Sequence, residues 1–161
     1  MAAFGRNPPD SDRAVELRRA TELLGGNKVL QHSLENMLNV HEMLLQGLPI
    51  SALTHLIDNL SAIHKSVVLE KVVGMGLRTF QRRRDSPWKP LNQAQSGRAW
   101  KFAMILVKAT AIFGSQAAAE NWMQQPASGL NQRCPIDLLA TVAGVEIVEG
   151  FLERLQYDVY A

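Results

Sequence analysis

Residues 102–113, Phe-Ala-Met-Ile-Leu-Val-Lys-Ala-Thr-Ala-Ile-Phe, hold only two polar side chains, Lys108 and Thr110. Read back to Asn92, the stretch is suited to one long helix. A helix that is apolar on nearly every side must be covered on nearly every side, so the rest of the chain has to be arranged around it. The apolar run is broken by Lys108 and is too short to span a bilayer, so no membrane partner is expected. It is expected to act as a spine joining a lobe that precedes it to a lobe that follows.

The flanking segments also read as helices. Residues 1–11, rich in Pro, Asn and Asp, read as a mobile end. Asp12 can cap a helix over 13–24, with Val15, Leu23 and Leu24 among its apolar positions and Gly25-Gly26 as its stop. Leu30, Leu34, Met37, Leu38, His41, Leu44 and Leu45 then recur at three and four residues up to Gly47. Pro49 opens a short amphipathic helix bearing Leu53, Leu56, Ile57 and Leu60. From His64 the pattern is a helix-turn-helix: Val67, Val68, Val72 and Val73 on one helix, Gly74-Met75-Gly76 as the turn, and 77–85 as the second helix. Leu77 and Phe80 of that helix should face inward. Ser86-Pro87-Trp88-Lys89-Pro90 forms the connection to the spine.

Beyond the spine, Gly114 is a stop, Ser115 can cap a helix over 116–125, and 126–134 is a loop. Pro135 suits the first turn of a short helix through Ala140. Gly144 should break the chain before a final helix. That helix has an apolar face of Val145, Val148, Leu152 and Leu155 and an outer face of Glu146, Glu149 and Glu153. Gly150 in its interior costs about 1 kcal/mol and implies a close neighbour. No run alternates over strand length and no internal repeat occurs, so the expected class is all-α.

Charge is unevenly placed. Arg78, Arg82, Arg83, Arg84, Lys89, Arg98 and Lys101 lie within 24 residues that hold one acid, Asp85. From Ala109 onward there are six acids and two bases. A basic middle and an acidic end imply two partners of opposite character. The run Arg78-Thr79-Phe80-Gln81-Arg82-Arg83-Arg84 follows a glycine turn. On its outer side a helix of this kind can reach phosphates or guanine edges in a major groove, and the other reading is a solvated basic face. Nucleic acid is the expected partner, through Arg78, Thr79, Gln81, Arg82, Arg83 and Arg84, and as part of a repressor this surface would hold operator DNA.

Catalytic and metal patterns find no support. His32, His41, His55 and His64 fit no ligand spacing; His41-Glu42 begins like a zinc-protease helix, but the second histidine position is Leu45. Cys134 has no histidine after residue 64 to activate it. Ser51, Ser61 and Ser66 lie in no nucleophile elbow, and Gly74 and Gly76 do not make a phosphate loop. No enzyme activity, cofactor or metal is expected. A single cysteine and the absence of a basic-then-apolar start point to a reducing cytoplasm with no signal peptide. Tyr157 and Tyr160, which close the chain, either pack back on the final helix or face a partner.

The last third resembles the toxin-binding domain of the Xre/MbcA/ParS antitoxin family. The matching pieces are Phe113-Gly114, Ala119-Glu120-Asn121-Trp122, Pro135-Ile136-Asp137-Leu138-Leu139-Ala140-Thr141, Gly144-Val145 and Arg154-Leu155-Gln156-Tyr157-Asp158-Val159-Tyr160-Ala161. Leu77 to Arg83 is similar to the family's Arg-Thr and Arg-Arg segment, and Ser96-Gly97-Arg98-Ala99-Trp100 to the start of its long helix. The ending is most similar to the Xre branch, whose toxins carry the RES domain and degrade NAD.

The resemblance implies an antitoxin that covers the toxin's active-site mouth and represses its own operon as an oligomer, here expected to be a homodimer. It implies toxin contacts at Arg133, Arg154, Tyr157, Asp158, Val159, Tyr160 and Ala161. The alternative is a dimeric helix-turn-helix repressor with no toxin. The expected division is an N-terminal helical region over 1–47, a helix-turn-helix-like region over 48–100 and a toxin-binding domain over 101–161. Two positions depart from the family pattern: Asp158 stands where glycine is frequent, and Asn131-Gln132-Arg133-Cys134 replaces a loop ending in paired arginines.

Overall fold

The structure is a computed structural model describing residues 10–160, and the side chains of Asp10, Val159 and Tyr160 are outside that description, as is Ala161. The expected all-α class holds: among the described residues no strand forms, and pairing of β type is limited to isolated bridges such as Pro49 with Pro90. The helices are α1 (Asp10–Leu23), α2 (Gly26–Leu30), α3 (Met37–Gln46), α4 (Ile50–Asp58), α5 (Lys65–Val67), α6 (Leu77–Arg83), α7 (Gln93–Phe113), α8 (Gln116–Met123) and α9 (Val142–Tyr160). A π-helical segment, Val68–Val73, continues α5, and two 3-10 turns, Ser128–Leu130 and Pro135–Leu138, lie between α8 and α9.

The spine is α7. Asn92 caps it by accepting from the Gln95 backbone amide at 2.8 Å, while the Gln95 side chain accepts from the Asn92 amide. Phe102, Ala103, Ile105, Leu106, Val107 and Ala109 are all buried, whereas Met104 is half-buried and Ala111 exposed. Helices α1, α3, α8 and α9 and the π-helical segment pack on it. One hydrophobic cluster therefore runs from Leu17 in α1 to Leu152 in α9. No single helix among the described residues is long and apolar enough to cross a membrane.

Several local expectations shift. Helix α1 begins at Asp10, so Asp12 lies in its first turn rather than at its cap. The segment after Gly26 is two helices, α2 and α3, and α3 buries Val40 and Met43 instead of Met37, Leu38 and Leu45, which stand exposed. Pro49 starts α4 as expected but has no side chain to cap it. The Ile50 amide donates to the Lys89 carbonyl at 3.0 Å, and the Ser51 amide to Pro87 at 2.9 Å. The Pro-rich connection of 86–90 thus supplies the missing cap.

After α7, Ser115 caps α8 by accepting from the Ala118 amide at 3.1 Å. The segment opened by Pro135 is a 3-10 turn ending at Leu138, not a helix through Ala140. Gly144 is not a breaker. Helix α9 already starts at Val142, with the Thr141 hydroxyl accepting from the Gly144 amide at 3.0 Å. Glycine is required there because a Cβ would run into the Leu138 carbonyl. The expected apolar face of α9 is correct: Val145, Val148 and Leu152 are buried and Leu155 is half-buried.

Candidate partner-binding surfaces

The basic surface is built on α5, the π-helical segment and α6. The Leu69 carbonyl accepts from both the Gly74 and Met75 amides, at 2.8 and 2.9 Å, which closes the first helix and turns the chain. Gly74 is left-handed at φ 80°, the conformation that ends a helix most cheaply at glycine. Phe80 then drops into the core at 1% exposure, with Leu77 half-buried beside it. That anchoring turns Arg78, Gln81 and Arg82 outward as exposed side chains, with Thr79 and Arg83 half-buried. Arg84 differs from the others: its guanidinium lies 3.6 Å from Asp58 of α4 and 5.7 Å above the Phe80 ring. Arg98, another base of this region, points back and donates to the Val73 carbonyl at 3.4 Å.

The acidic end is built on α8, the loop of 124–134 and α9. Phe113, Trp122 and Phe151 form a half-buried aromatic stack, with centroids 5.1 Å and 6.0 Å apart and the second pair parallel within 1°. The Arg154 guanidinium covers the outer end of the stack, 5.8 Å from the Phe151 centroid. Phe151 reaches this position because Gly129 carries no Cβ; one would collide with the ring. Arg133 is exposed at the end of a loop tied by the Ala127 amide donating to its carbonyl at 3.1 Å. Within this loop Asn131 and Gln132 are left-handed at φ 54° and 63°. Cys134 donates weakly to the Gln124 carbonyl at 3.3 Å.

Tyr157 is 61% exposed and Asp158 is exposed, both within the last turns of α9. Helix α9 runs to Tyr160, so the position of Asp158, where the family pattern favours glycine, lies within the helix. Of the expected toxin-binding residues, Arg154, Tyr157 and Asp158 share α9, and Arg133 lies on the preceding loop. The side chains of Val159 and Tyr160, and Ala161 altogether, lie outside the described residues. Against expectation, Gly150 has no close neighbour among the described residues: a Cβ there would meet nothing within 4 Å.

Two couplings between the basic and acidic parts are not visible in the sequence. The Glu120 side chain is fully buried in α8 and accepts from the backbone amides of Ser61, Ala62 and Ile63 at 2.8–3.0 Å. Gln116 supports it, donating 2.9 Å to Glu120 and 2.9 Å to the Asn59 carbonyl. The acid therefore pins the connection that leads into α5. One sequence signal does point to it, since Glu120 is the sole charged residue between 109 and 132. The second coupling is Lys71 to Asp137, 2.7 Å, between the π-helical segment and the Pro135–Leu138 turn. Its hydrogen bond to Asp137 holds the Lys71 ammonium above its ordinary pKa. Glu149, expected to face solvent, instead accepts from Lys101 of α7 at 2.9 Å.

No group of three or more candidate metal ligands occurs among the described residues. The geometry offers two exposed surfaces of opposite charge on one core. Residues 108–157, less than a third of the chain, match the family model of the antitoxin Xre/MbcA/ParS C-terminal toxin-binding domain. The matched stretch takes in the end of α7, all of α8, the loop, the aromatic stack and α9 as far as Tyr157. No curated protein gives a significant match to the chain.

Proposed function

We propose that this chain, similar over residues 108–157 to an antitoxin's toxin-binding domain, is the antitoxin of a toxin–antitoxin pair. In this reading the C-terminal third binds and blocks the toxin, and α5–α6 holds operator DNA, so that the chain represses its own operon. The toxin is of the RES type and degrades NAD, and the antitoxin acts as a homodimer in the cytoplasm. The family match carries the reading, together with the chemistry exposed where it ends. A protein that binds NAD must accept phosphates and aromatic rings. The end of α9 offers Tyr157 beside Asp158, with Arg154 and Arg133 available for acids at the rim.

The DNA half of the proposal rests on Arg78, Gln81 and Arg82, which α6 turns to solvent, with Thr79 and Arg83 beside them. Arg84 is a weaker candidate because Asp58 and Phe80 already engage it. Met37, Leu38 and Leu45, exposed along one side of α3, support a dimer. They suit equally the second reading, a dimeric repressor without a toxin.

The test is co-expression with the protein encoded by the adjacent reading frame. The full chain protects growth, whereas a chain lacking residues 157–161 keeps its melting temperature and loses protection. Protection by the shortened chain would exclude the end of α9 as the inhibitory element. Failure of the full chain to protect would leave the repressor reading. Replacing Arg82 and Arg83 by Ala abolishes operator binding in a gel shift and spares protection. Each arginine removed from a phosphate flattens the salt dependence of binding by a slope of about one. Wild-type DNA affinity in the double variant would remove α6 from the DNA site.

A further inference from the structure

Trp88 stands in the connection between α6 and α7 at 57% exposure, whereas Trp100 in α7 is 2% exposed and Trp122 is half-buried. The backbone around Trp88 is tied on both sides. The Ser86 amide donates to the Arg83 carbonyl and the Lys89 amide to the Ser86 carbonyl, each at 3.0 Å. The carbonyls flanking Trp88, those of Pro87 and Lys89, accept from the Ser51 and Ile50 amides that begin α4. The Leu91 amide donates to the Leu48 carbonyl at 2.7 Å. Pro87 and Pro90 each fix a further backbone dihedral. The indole is therefore held out in solvent on a constrained loop. An aromatic ring presented in this way binds with little ordering cost and suits an interface.

The surroundings select the kind of partner. Residues 82–89 hold the cations Arg82, Arg83, Arg84 and Lys89 and the single acid Asp85. With Arg84 engaged by Asp58, the charge left is that of Arg82, Arg83 and Lys89 against Asp85, still positive. Indole, ammonium and guanidinium groups donate hydrogen bonds and accept none. Donors and positive charge around an apolar ring match a partner that is anionic, rich in acceptors and apolar between its charges. The sugar-phosphate backbone of duplex DNA is such a partner. Its base faces are stacked on one another, so the deoxyribose carbons are the apolar surface that a side chain outside the grooves meets. Helix α6 ends at Arg83, so Trp88 lies within about 18 Å of it even along an extended chain. The major groove is about 12 Å wide, which brings the strand bordering it within reach.

We propose that Trp88 is a DNA contact. Its indole lies on the deoxyribose of the strand bordering the groove that α6 enters, its Nε1–H donates to a phosphate oxygen, and Lys89 pairs with the neighbouring phosphate. The inference rests on the DNA half of the proposed function and adds to the arginines of α6 a clamp on the backbone outside the groove.

The test titrates the full chain with duplex DNA from the region upstream of its own reading frame, over a range of salt concentrations. Trp88→Ala is expected to keep the melting temperature and weaken binding at least about fivefold. Its salt slope should stay that of wild type, because the indole neutralises no phosphate, whereas Lys89→Ala should lower the slope by about one. Trp88→Phe, which keeps a ring and loses the donor, should fall between Trp88→Ala and wild type. Acrylamide quenching reads the contact without a substitution: bound duplex is expected to shield the exposed Trp88 emission. Wild-type affinity in Trp88→Ala, or emission still fully quenchable in the complex, overturns the contact and leaves the DNA reading in place. If wild type binds no duplex, the DNA reading fails and the contact with it. Tighter binding to the single strands than to their duplex would mean that the indole stacks on bases, and the proposal is wrong. It is equally wrong if Trp88→Ala spares DNA and weakens binding to the protein of the adjacent reading frame.

Discussion

Glu120 shows how one side chain can hold two segments 57 residues apart. Its carboxylate is buried and forms no salt bridge among the described residues; three backbone amides and the Gln116 amide satisfy it. Hydrogen bonds to a charged acceptor are stronger than neutral ones, and orphaned donors in the interior are costly. Glu120→Ala is therefore expected to lose about 3 kcal/mol or more of stability. Glu120→Gln should lose less, because one acceptor oxygen remains. Urea unfolding measures both; an unchanged midpoint in Glu120→Ala would show that water can replace the carboxylate. A lone acid in an otherwise uncharged stretch marks the residue in the sequence. The identity of its partners could not be seen there, because they are backbone groups in a distant connection.

At the scale of elements, α7 is the decisive one. Ile105 is fully buried, with α1, α3, α8 and α9 all packed on its helix. Ile105→Asp is expected to unfold the whole described structure, since an unpaired buried charge costs several kcal/mol against a total stability of about 5–15 kcal/mol. Native helicity and melting by circular dichroism in that variant would contradict the packing. Met104, in the same apolar run, is only half-buried and makes a poorer probe. Helix α3 illustrates the limit of periodicity. It carries Met37, Leu38, Val40, Met43, Leu44 and Leu45, so more than one face is apolar enough to be inside. Docking against α7 selects Val40 and Met43.

At the scale of the molecule, the expected division at 47/48 and 100/101 cuts across a single core cluster that draws residues from all three parts. Glu120 and Asp137 are bonded across the second of these boundaries. Unfolding is expected as one transition, with far-UV circular dichroism and tryptophan fluorescence coincident, because Trp100 and Trp122 report on α7 and α8. An isolated 101–161 fragment should be largely unfolded, having lost the cover of α1 and α3 and the donors of Glu120. Two separated transitions, or a helical fragment that melts cooperatively, would show independent domains.

The all-α class, the long central helix, the glycine turn before α6, the Ser115 cap and the inward face of α9 could all be read from the chain. Each depends on interactions within one or two helical turns, where side-chain type and spacing act directly. The buried face of α3, the cap supplied to α4 by Lys89 and Pro87, the engagement of Arg84 by Asp58 and the open flank of Gly150 could not. Those depend on which surfaces meet across dozens of residues, and similar local patterns allow more than one meeting. Gly150 makes the distinction plain: its cost to the helix follows from glycine alone, but only the assembled fold shows that, among the described residues, a Cβ there would meet nothing within 4 Å.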